Sequence, residues 1–209
     1  MTTMTETLRH EEALFIPSEN GTTESTYTPK VEGEYLGHIR ETRTLVREFT
    51  TKEGKNVKAR IFNYKVLVAP ENATREYTYT DRNGLEHHTT GEPYVGWPIG
   101  GRGIFRFLEP TEHDTFESNS ENNVSYLRFC QALGLTIETT KREIGGKTVE
   151  VQILPTLKES DIDGRPVIAT VGRGKDWVND SGETVPSFEV KKMRLWKEGK
   201  RLASNDLPF

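Results

Sequence analysis

The sequence predicts a mainly β fold, a small closed barrel of five strands carrying long hairpin insertions and one short α-helix. Three observations predict it. Short runs rich in β-branched and aromatic residues recur along the chain, bounded by Gly, Pro, Asn or Asp. A single stretch has helical spacing, and it lies between the early and late runs. With 33% hydrophobic and 29% charged residues, the 209-residue chain is strongly water-loving. Such a chain can fill a core for about 150 residues, leaving the remainder solvated. A β-sandwich built from the same runs stays open.

Residues 1–30 are rich in Thr, Glu and Ser with no sustained period, and read as a flexible arm. A strand then enters through Gly33 and continues to Phe49, and Thr51–Asn56 is a turn cluster. Val57–Val68 is a long β-branched and aromatic strand ended by Pro70. Tyr77–Thr80 and Leu85–Thr89 flank Asp81-Arg82-Asn83-Gly84, where the Asn-Gly pair predicts a protruding hairpin. Ile104–Leu108 is a strand closed by Pro110. Val124, Leu127, Phe129, Cys130 and Leu133 make one apolar helix face, stopped by Gly134. Gly145-Gly146 marks another hairpin, and Arg165–Trp177 and Val185–Trp196 are the last strand pair. The five-stranded oligonucleotide-binding barrel has such an order, with a helix between its third and fourth strands, and here the helix falls after the Ile104 strand and before the Arg165 strand. The domain reading is an arm over 1–30, the barrel over 31–198 and a tail over 199–209.

The net charge of −4 is unevenly spread. Residues 1–30 carry −3 and residues 109–122 carry −5, so everything else sums to +4. Local field rather than net charge governs binding, so a basic face remains available to a nucleic acid.

Strand alternation puts Lys58, Arg60, Phe62 and Tyr64 on one side of the Val57–Val68 strand. Cations follow phosphates, and rings stack on unpaired bases whatever their sequence. The last strand repeats the mixture with Lys192, Arg194 and Trp196, within a stretch (188–201) holding six basic and two acidic side chains. Arg173, Lys175 and Trp177 sit around glycines that let a backbone come close, and Trp97 and Arg102 flank another glycine-rich loop. Core burial of any one ring is the competing reading. Together these residues are the expected binding surface for single-stranded DNA.

At the end of the chain, Asp206-Leu207-Pro208-Phe209 sets an aromatic ring beside carboxylates, with Pro208 stiffening the tip. Such a tip suits a pocket that is apolar at its base and basic at its rim. The tip resembles that of bacterial and phage single-stranded DNA-binding proteins, although Lys200–Asn205 is not acidic as in that pattern. Gly33-Glu34-Tyr35, Gly54-Lys55, Asn63–Val68, Tyr126–Gly134 and Gly164-Arg165-Pro166-Val167 resemble, in their order, the phage members of that family. The resemblance implies a barrel that protects and organises single-stranded DNA in replication, recombination or repair. It also implies recruitment of partner enzymes through Asp206, Leu207, Pro208 and Phe209. A strand-annealing mediator and a virion structural or adaptor protein are the alternatives.

Catalysis is not expected. Adjacent His87 and His88 point to opposite faces of a strand and do not share an ion, and His113 has no second histidine near. Gly145-Gly146-Lys147-Thr148 lacks the earlier glycine of a phosphate loop. Cys130 lies on the apolar helix face as packing. No cofactor and no metal are expected, and homo-oligomerisation is open. One cysteine, and no apolar run near the roughly 20 residues of a membrane span, give a cytoplasmic expectation. A phage-encoded chain would then work in its bacterial host.

Overall fold

The structure is a computed structural model that describes residues 29–50, 54, 56–81, 83–108 and 123–203. Residues 1–28 of the 1–30 arm, the acidic run 109–122 and the Asp206–Phe209 tip lie outside the described residues.

Two long antiparallel strands organise the molecule. β1 (Gly33–Thr50) pairs with β2 (Asn56–Val68) from Gly37↔Val68 to Thr50↔Asn56. The register shifts between Arg40 and Arg43, where Glu41 takes a positive φ of 51°. A bulge bends its strand and increases the local twist. The bend is pinned by Asp163, whose carboxylate accepts the Thr42 hydroxyl at 2.6 Å and its N–H at 3.1 Å. The first half of β1 therefore pairs with β9 (Pro166–Arg173), while its second half runs on beside β2 alone.

β3 (Glu76–Thr80) and β4 (Glu86–Thr90) form a separate ribbon. The Asp81 carboxylate closes its turn by accepting the N–H groups of Asn83 and Leu85 at 2.8 and 2.9 Å. β5 (Pro98–Gly100) and β6 (Ile104–Leu108) both pair with β2, at opposite ends of it. α1 (Val124–Ala132) packs Tyr126, Phe129 and Cys130 inward, and Gly134 ends it with a φ of 73° that side chains resist. β7 (Thr139–Ile144) and β8 (Lys147–Gln152) make a second ribbon, turned at Gly145-Gly146 with φ of 59° and 76°. After the short α2 (Glu159–Ile162) and β9, a third ribbon joins β10 (Trp177–Val178) to β11 (Thr184–Val185). β12 (Phe188–Leu195) then pairs with β9.

The five-stranded closed barrel is corrected. The described strands fall into one six-stranded sheet of order β12-β9-β1-β2-β5, with β6 also on β2, and three two-stranded ribbons. Closure requires a continuous ladder between the first and last strands. Here the free edges meet at one isolated parallel bridge, Gly101↔Val190. Two local features stop that contact from extending. Residues 101–103 leave the ladder on β2 between β5 and β6, and β12 shifts register between Val190 and Lys192. The sheet is therefore open, and the oligonucleotide-binding barrel does not describe it.

The main core fills one side of the sheet. Tyr35, Ile39, Phe62, Val66, Ala169 and Val167 pack there against Tyr126, Phe129 and Leu133 of α1. A small second cluster, Ala69, Ile168 and Trp196, with Leu36 against it, covers part of the opposite side. Residues after β12 dock back on the body. Leu202 N–H donates to Gly164 O at 3.0 Å, the Arg201 guanidinium reaches the Ser160 and Asp163 carbonyls, and His38 Nε2 bonds Lys200 O at 3.0 Å. Among the described residues, no helix is long and apolar enough to cross a membrane.

Candidate nucleic-acid interface

The two faces of β2 have opposite fates. Phe62, Tyr64, Val66 and Val68 turn inward and are 0, 6, 0 and 1% exposed. Phe62 stacks on Tyr126 at 5.7 Å and Tyr64 on Phe129 at 5.8 Å, so both rings serve the core. Burial pushes the Tyr64 hydroxyl up to about 12. Lys58 and Arg60 share this parity but lie beyond the core, and Lys58 pairs with Glu48 at 3.2 Å.

The outer face carries Val57, Ala59, Ile61 and Asn63, and cross-strand register supplies its neighbours. Residues directly opposite one another share a face. Arg47, Ala59 and Phe107 therefore form one row, and Leu45, Ile61 and Phe105 the next, while Phe49 lies opposite Val57 and Arg43 opposite Asn63. The three phenylalanine rings touch in sequence, Phe49 to Phe105 at 5.9 Å and Phe105 to Phe107 at 6.2 Å. Each is half-buried, yet Ala59 beneath them is fully covered. The Phe105 and Phe107 planes lie within 21° of each other, and Phe49 is tilted by 56° to Phe105.

β6 is held in place from its free edge. Asn123 accepts the Phe107 N–H through Oδ1 at 2.9 Å and donates from Nδ2 to Phe107 O at 3.3 Å. A side chain at Gly103 would crowd the Asn63 end of this face, its Cβ 2.9 Å from Asn63 Oδ1. Lys65 is paired with Glu41 at 2.7 Å, whereas Arg43 and Arg47 are exposed and have no carboxylate partner among the described residues. Rings with free cations on one open face can hold bases and phosphates together.

The twelve residues expected to bind DNA do not share one trough. Tyr64, Arg102, Lys192 and Arg194 meet around a cleft between α1 and β12. Trp196 is 6% exposed in the second cluster, 5.5 Å from the His38 ring, and cannot stack on a base. Phe62 is excluded for the same reason. Trp97 is half-buried against Tyr35, Tyr94 and Phe188, with Lys30 Nζ 5.1 Å above its ring. Arg173 lies 5.3 Å over Phe188, and Lys175 and Trp177 are exposed nearby in sequence, Trp177 on the β10–β11 ribbon at 55%. The residues that sequence reasoning misses are Arg43, Arg47, Phe49, Phe105 and Phe107. The signal is present in Ile104–Leu108, where Phe105 and Phe107 stand two apart and so share a face.

Among the described residues, no three His, Cys, Asp or Glu side chains gather as a metal site. Cys130 is buried, and burial pushes its thiol up to about 11, away from nucleophilic use.

No protein-family model, no curated protein and no solved structure matches this chain. The resemblance to phage single-stranded DNA-binding proteins is corrected accordingly. Its motifs are short and degenerate, nothing in the comparisons supports them, and the open sheet lacks the barrel that the family implies. The replication, recombination and repair roles drawn from it go with it.

Proposed function

We propose that the chain binds single-stranded DNA, without catalysis, across the outer face of β1, β2 and β6. The observation that carries this reading is the contiguous row Phe49–Phe105–Phe107, flanked on the same face by Arg43 and Arg47. Unpaired bases offer flat faces that stack on such rings regardless of sequence, each worth ~1–3 kcal/mol. The two arginines follow the phosphates and make binding salt-dependent. A duplex keeps its bases stacked inside and cannot use the rings, so single strands are preferred.

The test is anisotropy of fluorescein-labelled oligo-dT at low and moderate salt. Wild type should bind, with affinity falling as salt rises. Phe105→Leu is the sharpest variant, since leucine still covers Ala59 and Ile61 but gives no stacking plane. Weakening on the order of fivefold to a hundredfold in this folded variant supports the reading. Unchanged affinity in Phe105→Leu, or absence of binding by wild type, sinks it.

A further inference from the structure

The cleft between α1 and β12 is separate from the phenylalanine row, and its chemistry differs. It encloses about 740 Å³ between the exposed side of α1, the Gly103-Ile104 turn and β12. Five cations line it, Arg102, Arg128, Lys191, Lys192 and Arg194, against one carboxylate, Glu189. Glu189 is already engaged by Lys191 at 2.6 Å and Arg102 at 2.9 Å. Those contacts, Lys191 foremost, hold its carboxyl below the usual range. Arg194 is engaged by Glu34 at 2.8 Å. Arg128 and Lys192 remain, exposed and with no carboxylate partner among the described residues.

The less exposed part of the lining is apolar, made by Phe129, Ile104, Met193, Leu195 and the ring of Tyr64. Its two aromatic rings stack on each other and are 6% and 2% exposed, so neither offers a face to a base. A nucleic acid would leave this apolar lining unused. An acidic peptide carrying one large apolar side chain would use both parts, anchoring in the cleft and placing carboxylates beside Arg128 and Lys192. Interfaces draw most of their energy from such a buried anchor, while rim charges steer approach and register.

We infer that this cleft is a docking site for an acidic, apolar-anchored segment of a partner protein. The site does not depend on the DNA-binding reading, and it leaves the outer face free while occupied.

The probe is a random peptide library displayed on a carrier and selected on the full chain. Enriched peptides are then labelled and their affinity measured by anisotropy. Enriched sequences should combine Asp or Glu with a large apolar residue. The double variant Arg128→Glu with Lys192→Glu, both surface positions, should lose at least tenfold in affinity for them. Its circular dichroism and its affinity for oligo-dT should stay as in wild type, while Phe105→Leu should leave peptide binding intact. The inference is overturned if no peptide is enriched above an unrelated protein, or if enriched peptides are not acidic. It is also overturned if charge reversal leaves their affinity unchanged, or if reversal weakens oligo-dT instead, which would make the cleft a path for nucleic acid. Failure of the stacking reading shows separately, as a Phe105→Leu protein whose oligo-dT affinity does not move.

Discussion

The inward and outward faces of β2 start from the same alternation and end as different materials. The inward face supplies its own rings, Phe62 and Tyr64, and loses them to α1, whose Tyr126 and Phe129 stack upon them. The outward face has no aromatic residue of its own, only Val57, Ala59, Ile61, Asn63, Lys65 and Leu67. Its rings come from β1 and β6, brought over Ala59 by pairing on both sides. A ring in a strand is therefore no guide to a binding surface until the layer above that face is known. Where a helix covers the face, rings become core; where none does, small residues and neighbouring rings build a platform.

The contrast is broken most severely by Phe62→Ala. If the inward ring is core, truncation should cost ~3–5 kcal/mol in urea unfolding, with oligo-dT affinity unchanged in the folded fraction. A stable variant with weakened DNA binding would reverse the assignment of the two faces. Next comes the outward face, where Phe107→Leu should weaken oligo-dT by ~1–3 kcal/mol while moving the urea midpoint far less than Phe62→Ala does. Equal losses of stability and binding would mean that the row is merely a hydrophobic cover.

Smaller effects sharpen the electrostatic side. Arg43→Ala and Arg47→Ala should each weaken oligo-dT uniformly across base sequences. Each should also flatten the dependence of log affinity on log salt by about 0.7. Lys58→Ala serves as the contrast, because that cation lies on the other parity of β2 beside Glu48, and the salt slope should barely change.

The smallest expected effect is on pH dependence. His38 is buried beside Trp196 and bonds the Lys200 carbonyl. Burial holds its pKa below the ordinary value, partly opposed by that carbonyl. The unfolded chain then binds a proton more readily than the folded one. Stability from this group is full above about pH 6.5 and is lost as pH falls through the lowered folded value. Urea midpoints should decline on acidification below that point, and His38→Asn should flatten the decline. An unaltered profile in the variant would remove His38 from the account.

The sequence by itself determined most of the elements. Turn chemistry placed the hairpins at Asn83-Gly84 and Gly145-Gly146, and apolar spacing with Gly134 placed α1. These are local decisions, made by backbone preference within a few residues. Tertiary structure alone decided which face of β2 met α1. It also decided that Trp196 would seal a second cluster, and that Gly101 and Val190 would bridge without zipping the sheet shut. Periodicity states that two faces differ but not which one is covered, because covering depends on partners far away in the chain. Closure failed for a related reason: a ladder needs two edges in matched register, and the shift after Val190 and the glycines before β6 act on separate strands.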